Sequence, residues 1–265
     1  MTSMTTFGAL PAVCITAPGG AQAIVTLYGA HLVSWQSAAG KERLFVSERS
    51  PRDGSAAIRG GVPVIFPQFA TRGTGQRHGL ARLSTWRLDG SGTDNDSGWA
   101  EFELARDDVP AALAQAWPHA FTLRLRVTLR GDALELRFKV RNSGEQDFAF
   151  ASALHTYFAV GEFGRSTLQG LQGQDTLRFG EALDTIHPAT PELTLETADG
   201  ALLLQQQGYT EWVVWNPGAA GAAAIGDMDD AEYRDFVCIE PARVDQKVLA
   251  AGAEWTGYHT ISSIP

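Results

Sequence analysis

The sequence predicts an all-β fold of large antiparallel sheets packed face to face, and three features carry that prediction. Residues 121–129 and 134–140 alternate apolar and polar side chains without a break. Phe121, Leu123, Leu125, Val127 and Leu129 stand against Thr122, Arg124, Arg126 and Thr128; Leu134, Leu136, Phe138 and Val140 stand against Glu135, Arg137 and Lys139. A period of two marks a strand with one buried and one wet face, so the basic residues here are a solvated sheet face and not a nucleic-acid stripe. Well over a dozen short apolar runs are separated by turns rich in Gly, Pro, Asn and Asp. No stretch keeps helical periodicity for long, and neither a βαβ pattern nor an internal repeat is present.

Taken in order, short strands are expected from Ala12, over Ala23 to Tyr28, Ala30 to Gln36 and Arg43 to Val46. Ser84 to Leu88 reads as a strand, Asp89 to Gly98 (DGSGTDNDSG) as a polar hairpin loop and Trp99 to Leu104 as its return. Asp108 to Trp117 supports one or two helical turns, with Asp107 or Asp108 as N-cap and Pro110 in the first turn. In Asp147 to Phe158, alternation puts Phe148, Phe150, Leu154 and Phe158 on one face and Ala149, Ala151, Ala153, His155 and Tyr157 on the other. Residues 161–200 are the least patterned, with strands over Thr176 to Phe179 and Leu193 to Thr197. Further strands follow over Ala201 to Gln206, Trp212 to Trp215 and Phe236 to Ile239, a brief helix over Ala219 to Ile225, and a closing hairpin of Lys247 to Ala250 with Trp255 to Ser262.

The segment Ala56 to Trp86 fits neither helix nor regular strand. Pro63 and Pro67 lack amide donors, Gly60 and Gly61 permit close backbone approach, and Arg59, Arg72, Arg77, His78 and Arg82 crowd its flanks. A rigid crossing that brings Arg59 near His78 and Arg82 is suited to an oxygen-rich or anionic ligand, because guanidinium groups offer a fixed fork of donors. A packed crossover loop with solvated arginines fits the same residues.

The chain has 265 residues and a net charge of −9, which argues against a nucleic-acid or anionic-membrane surface while leaving room for a small anion at a local arginine cluster. Two cysteines, Cys14 and Cys238, make no disulfide scaffold. Residues 1–11 do not read as a basic segment, apolar core and cleavage site, and no apolar run reaches about eighteen residues, so neither secretion nor membrane spanning is expected. The expectation is one domain over residues 1–265, cytoplasmic, with monomer as the default.

Six histidines, at 31, 78, 119, 155, 187 and 259, form no HExxH motif and no Cys/His/Asp set at metal-ligand spacing; no nucleophile elbow, phosphate loop or dinucleotide fingerprint exists either. Neither metal nor cofactor is expected. The remaining candidates are His155 within an alanine-lined strand face and Glu240 at the end of the apolar strand Phe236 to Ile239, a pair with the chemistry of general acid and base. A hydrogen-bonded core histidine and a rim carboxylate are the structural alternatives. Trp215, Asn216, Asp227 and Trp86 have the aromatic faces and polar acceptors that line a sugar cleft.

These residues fall in an ordered set of motifs: IRGGVPVIFPQF at 58–69, HGLAR at 78–82, LHTYF at 154–158, VVWNP at 213–217, IGDM at 225–228 and FVCIEP at 236–241. The set resembles the aldose 1-epimerase superfamily, in particular its hexose-6-phosphate branch, the glucose-6-phosphate 1-epimerases. The resemblance implies a galactose-mutarotase-like β-supersandwich with the active site in the concave face of the larger sheet, with His155 and Glu240 as the catalytic pair and Arg59, His78, Arg82, Gln68, Asp227, Trp215 and Asn216 as substrate-binding residues. It implies interconversion of the α and β anomers of a hexose 6-phosphate, with D-glucose 6-phosphate the expected substrate, without metal or cofactor; the alternatives are a mutarotase of unphosphorylated aldoses or a non-catalytic carbohydrate-binding protein. One departure concerns the branch's acidic residue followed by Arg: in Glu181 to His187, Thr185 stands where the arginine is expected.

Overall fold

The computed structural model describes residues 1–264. Its first strands, β1 (Thr2–Phe7), β2 (Leu10–Thr16), β3 (Gln22–Thr26) and β4 (His31–Gln36), form a four-stranded meander. The chain then runs irregularly to the two-residue β5 (Val64–Ile65) and on to β6 (Arg87–Asp94), β7 (Ser97–Ala105), α1 (Ala111–Ala116), β8 (Phe121–Arg130) and β9 (Ala133–Asn142). Next come β10 (Phe148–Leu154), β11 (Tyr157–Ala159), β12 (Thr167–Gln169), β13 (Thr176–Arg178), β14 (Leu183–Pro188), β15 (Glu192–Thr197), β16 (Gly200–Gln207) and β17 (Glu211–Asn216). The chain closes with α2 (Gly218–Ala222), β18 (Phe236–Leu249) and β19 (Glu254–Ile264).

Besides the meander there are two larger antiparallel sheets. One has nine strands in the order β13-β12-β15-β16-β19-β9-β8-β7-β6; the other has six, β14-β17-β18-β10-β5, with β11 also pairing β18. The alternating apolar residues of β8 and β9 are all buried in one cluster with Phe150 and Leu154 of β10, Trp212 and Val214 of β17, and Val237 and Ile239 of β18. Each such burial contributes about 1.5–3 kcal/mol. The nine-stranded sheet thereby fixes which face of the six-stranded sheet is core. With a side-chain period of two, the intervening residues Cys238, Glu240, Val213, Trp215 and His155 are committed to the opposite face.

Several expectations are corrected. The polar stretch Asp89 to Gly98 is mostly paired strand, with only Asn95 and Asp96 in the turn. It lies at the edge of the nine-stranded sheet, where polar residues suit the open side, and Gly92 packs beneath Trp99, whose ring would lie 3.1 Å from an added Cβ. Leu83 ends a single 3-10 turn begun at Ala81, so a strand from Ser84 starts only at Arg87. Pro110, not an aspartate, occupies the N-cap position of α1; the Asp108 carboxylate instead accepts from the Ala105 amide at 3.1 Å. The patternless region 161–200 contains two unforeseen strands, β12 and β14. Glu240 is not at a strand end, because β18 continues through Pro241 to Leu249.

The segment from Ala56 to Trp86 does adopt the expected irregular crossing, held by β5 and by single bridges Val46↔Gly60, Leu32↔Val62 and Phe66↔Gly79. Gly61 and Gly79 both have positive φ, and a Cβ would fall 2.3 Å from the Leu32 carbonyl oxygen at the first and 2.0 Å from that of Phe66 at the second. Only glycine permits both the conformation and the approach.

Candidate active site

Register places the two candidate acid/base residues face to face. Ala153 pairs with Ala242 and Tyr157 with Cys238, so the positions between them set His155 opposite Glu240. The strand is interrupted there, between the end of β10 at Leu154 and the start of β11 at Tyr157. Successive amides of a strand point to alternate sides. The Ile239 N–H reaches the Thr156 carbonyl, so the donor that Pro241 lacks would also have pointed into this interruption. The proline inside β18 thus falls where no ladder bond is available.

The same pairing extends across two more strands. Val213 lies opposite Glu240 and Trp215 opposite Cys238 on β17, while Ile186 and Asp184 follow on β14. The outer face of the six-stranded sheet therefore presents two adjacent rows, Tyr157–Cys238–Trp215–Asp184 and His155–Glu240–Val213–Ile186. Above them is a hollow of about 260 Å³, closed on its other sides by Arg59, Phe69, Arg77, His78 and Arg82 from the irregular crossing.

His155 Nδ1 is 3.3 Å from Glu240 Oε1, and neither Nδ1 nor the second carboxylate oxygen has a hydrogen-bond partner. Glu240 is 1% exposed. Burial pushes its carboxyl well above the ordinary range, and the Asp184 carboxylate adds to this. Burial pushes the His155 imidazole well down, helped by His78, Arg82 and Arg59. Both groups are driven toward their neutral forms because the charged forms lose hydration. The Tyr157 ring stacks on His155 at 4.9 Å and 11°, and Trp215 meets its edge at 6.1 Å, which holds the imidazole plane.

His78 has φ of 63° and accepts a hydrogen bond at Nδ1 from the Ala70 amide at 3.3 Å, which leaves Nε2 as the protonated nitrogen. Burial, followed by Arg82, Arg77 and Arg59, lowers its pKa to about 3, so it stays a neutral donor. Arg59 is held by Asp227, with Nε and Nη2 each 3.1 Å from one carboxylate oxygen, and its Nη1 donates to the Tyr157 hydroxyl at 3.3 Å. Arg82 donates to the Arg77 carbonyl at 3.1 Å, and its Nε has no partner. Among the described residues neither Arg77 nor Arg82 has an ion-pair partner, and burial followed by Arg59 and Arg77 lowers the Arg82 pKa to about 10 although Tyr157 opposes the shift. An anion in the hollow would relieve that mutual repulsion.

The structure thus gathers His155, Glu240, Arg59, His78, Arg82 and Trp215 around one hollow, with Asp227 behind Arg59. It does not bring in Gln68, Asn216 or Trp86. The Gln68 amide is spent on Ala70 and Gly75, and that of Asn216 on Tyr233, Phe236 and Gly218, so both brace loops. Trp86 is a core residue donating to the Ala81 carbonyl. Sequence reasoning missed Tyr157, Arg77 and Asp184 as wall residues. The acidic residue in the 181–187 segment was the available signal for Asp184. Thr185 points away from Asp184's face and bonds His187 at 2.9 Å.

The hollow and its enclosed imidazole–carboxyl pair lie over the six-stranded sheet, a correction to the expectation of a site on the larger sheet, which has nine strands. Residues 11–184 match the aldose 1-epimerase family, and the chain belongs to that family. A Cenchrus ciliaris protein named "putative glucose-6-phosphate 1-epimerase" is 33% identical over 267 residues, spanning 91% of this chain and 81% of its own. A protein of the same name from Escherichia coli K12 is 33% identical over 242 residues, 83% and 79% of the two chains. The crystal structure of a "putative mutarotase" from Salmonella typhimurium superposes with a TM-score of 0.87 at 26% identity, over 99% of this chain and 93% of that one. Galactose 1-epimerase from Lactobacillus acidophilus shares the fold at a TM-score of 0.77 and 15% identity, over 100% and 98% of the chains. The architecture is the galactose-mutarotase-like supersandwich.

Proposed function

We propose that this protein interconverts the α and β anomers of D-glucose 6-phosphate, with His155 and Glu240 as the acid/base pair. The observation that carries the phosphate is the guanidinium excess at the hollow: among the described residues Arg77 and Arg82 lack carboxylate partners, in a chain whose net charge is −9. The names of the Cenchrus ciliaris and Escherichia coli relatives support the same substrate.

The pair carries one mobile proton whichever group holds it. A carboxylic acid beside a neutral imidazole and a carboxylate beside an imidazolium differ only by transfer across the 3.3 Å between Oε1 and Nδ1. Sugar hydroxyls in the hollow restore hydrogen bonds that burial removed and favour the ion-pair form. The Glu240 carboxylate then takes the proton from the O1 hydroxyl while the His155 imidazolium protonates the ring oxygen, so the C1–O5 bond opens to an aldehyde. Rotation about C1–C2 turns the other carbonyl face, and the reversed transfers close the ring as the second anomer. Positioned proton transfer of this kind contributes about 10²- to 10⁴-fold. His78 Nε2–H and the Asp184 carboxylate supply a donor and an acceptor for ring hydroxyls, Trp215 an apolar face, and the arginines a hold at the far end that orients C1.

A mutarotase of unphosphorylated aldoses is the second reading, favoured by the commitment of Arg59 to Asp227 and by Thr185 in place of an arginine. Exchange between anomers measured by NMR on glucose 6-phosphate and on glucose separates them: the proposal expects a kcat/KM larger for the phosphorylated sugar. Equal values would support the second reading, and rates equal to buffer for both would leave a binding protein.

A further inference from the structure

We propose that His155 and Glu240 of the hollow, together with the buried Cys238 on the same sheet face, form a binding site for a borderline-soft divalent cation such as Zn²⁺, and that the cation inhibits the enzyme. The three residues are far apart or awkwardly spaced in sequence, and only the pairing of β18 with the interrupted β10–β11 strand assembles them. Cys238 and Glu240 lie two apart on β18 and so share a face, while His155 lies across from Glu240. One ligand atom from each falls within 4.8 Å of the others.

Two further facts point to a ligand. Glu240 Oε2 and His155 Nδ1 are enclosed without hydrogen-bond partners, in residues 1% and 8% exposed. Imidazole, thiolate and carboxylate together are a donor set suited to zinc, and two of the three residues, His155 and Glu240, line the hollow. Tetrahedral zinc with bonds of about 2.0–2.3 Å requires ligand atoms roughly 3.3–3.8 Å apart. The imidazole and carboxylate meet that already at 3.3 Å, and the Cys238 sulfur has a ligand atom of each within 4.8 Å. A dication with one thiolate and one carboxylate sums to zero charge, which offsets the cost of burying those groups as ions.

Inhibition rests on the reading of His155 and Glu240 as the acid/base pair, since the cation would occupy the lone pairs they use; binding does not rest on it. The test is therefore made on both. Titration of the full chain with Co²⁺ is expected to give a thiolate-to-cobalt absorption band that is absent in C238S and is removed by excess glucose 6-phosphate. Zn²⁺ is expected to inhibit anomer exchange, with C238S remaining active and requiring at least about tenfold more Zn²⁺, since losing even an outer partner of a metal site costs about 10–100-fold. Circular dichroism of C238S establishes its fold, and sugar competition on the wild type stands without the variant. No cobalt–thiolate band in the wild type, or the same Zn²⁺ sensitivity in C238S, overturns the proposal. A band that sugar displaces in a protein without exchange activity upholds the cation site and rejects the assignment of function.

Discussion

The wet face of the nine-stranded sheet and the outer face of the six-stranded sheet are both strand surfaces with many ionisable groups, and they treat those groups in opposite ways. On the first, most charges are matched at the surface or half-buried: Arg124 to Glu103 at 2.7 Å, Arg137 to Glu101 at 2.7 Å and Lys139 to Glu254 at 2.8 Å, and in a depression of about 350 Å³ lined by Glu103, Arg124, Lys139, Arg141 and Glu254 only Arg141 lacks an ion-pair partner among the described residues. On the second, His155 and Glu240 are enclosed, the half-buried Arg82 of the irregular crossing lies above them, and each of the three keeps a buried atom without a partner. Exposed pairs contribute about 0–1 kcal/mol each, whereas an enclosed polar atom without a partner costs about 1–3 kcal/mol. Arg137 Nε on the first face also lacks a partner, but there Glu101, Glu103 and Glu254 are matched within the sheet, whereas the second face holds a buried acid/base pair that a ligand would complete.

The largest expected effect follows from removing either half of the enclosed pair. H155A and E240Q should each lower kcat for anomer exchange by about 10²- to 10⁴-fold while sugar binding persists, measured by NMR exchange and calorimetry. A loss below about tenfold would move the chemistry elsewhere. Next come the arginines. R77A with R82Q should raise KM for glucose 6-phosphate about 10–100-fold, the worth of charge-assisted bonds of about 1.5–3 kcal/mol, with little effect on glucose. Added salt should weaken the phosphorylated sugar alone; an equal change for both sugars would deny the phosphate a place at these residues.

A smaller effect contrasts stability with function. A carboxyl whose folded pKa is raised contributes its full stability below the ordinary value of 4.5 and loses it as pH rises toward the folded value. Glutamine has no such loss, so E240Q should be more stable than the wild type by about 1–3 kcal/mol, with the gap widening from about pH 4.5 upward in denaturant titrations. A gap that shrinks with pH would mean that Glu240 is held as a carboxylate by His155. The smallest effect belongs to the satisfied face: R124A should change stability by less than about 1 kcal/mol and leave exchange rates unchanged.

Much of this was readable in the chain. The period-two alternation of β8 and β9 and the face assignment of Phe148 to Phe158 needed only the strand repeat, and both match the packing. The crossing from Ala56 to Trp86 was legible because Pro63, Pro67, Gly60 and Gly61 allow little else. Residues 161–200 were opaque because β12 and β14 are short or edge strands, half wet and without a clean alternation, so Asp184 went unseen as a wall residue. The misplacement of Glu240 at a strand end came from reading Pro241 as a terminator, when an interrupted neighbour made its missing amide harmless. Gln68 and Asn216 misled because an amide can serve a backbone loop as readily as a sugar. The meeting of His155, Cys238 and Glu240 is a property of register between distant strands, which sequence spacing does not encode.

The most direct measurement is NMR exchange between the α and β signals of glucose 6-phosphate in the presence of the wild type and of E240Q at equal concentration. The account predicts exchange far above buffer with the wild type and near buffer with E240Q, although E240Q still binds the sugar. Equal exchange with the two proteins would contradict it.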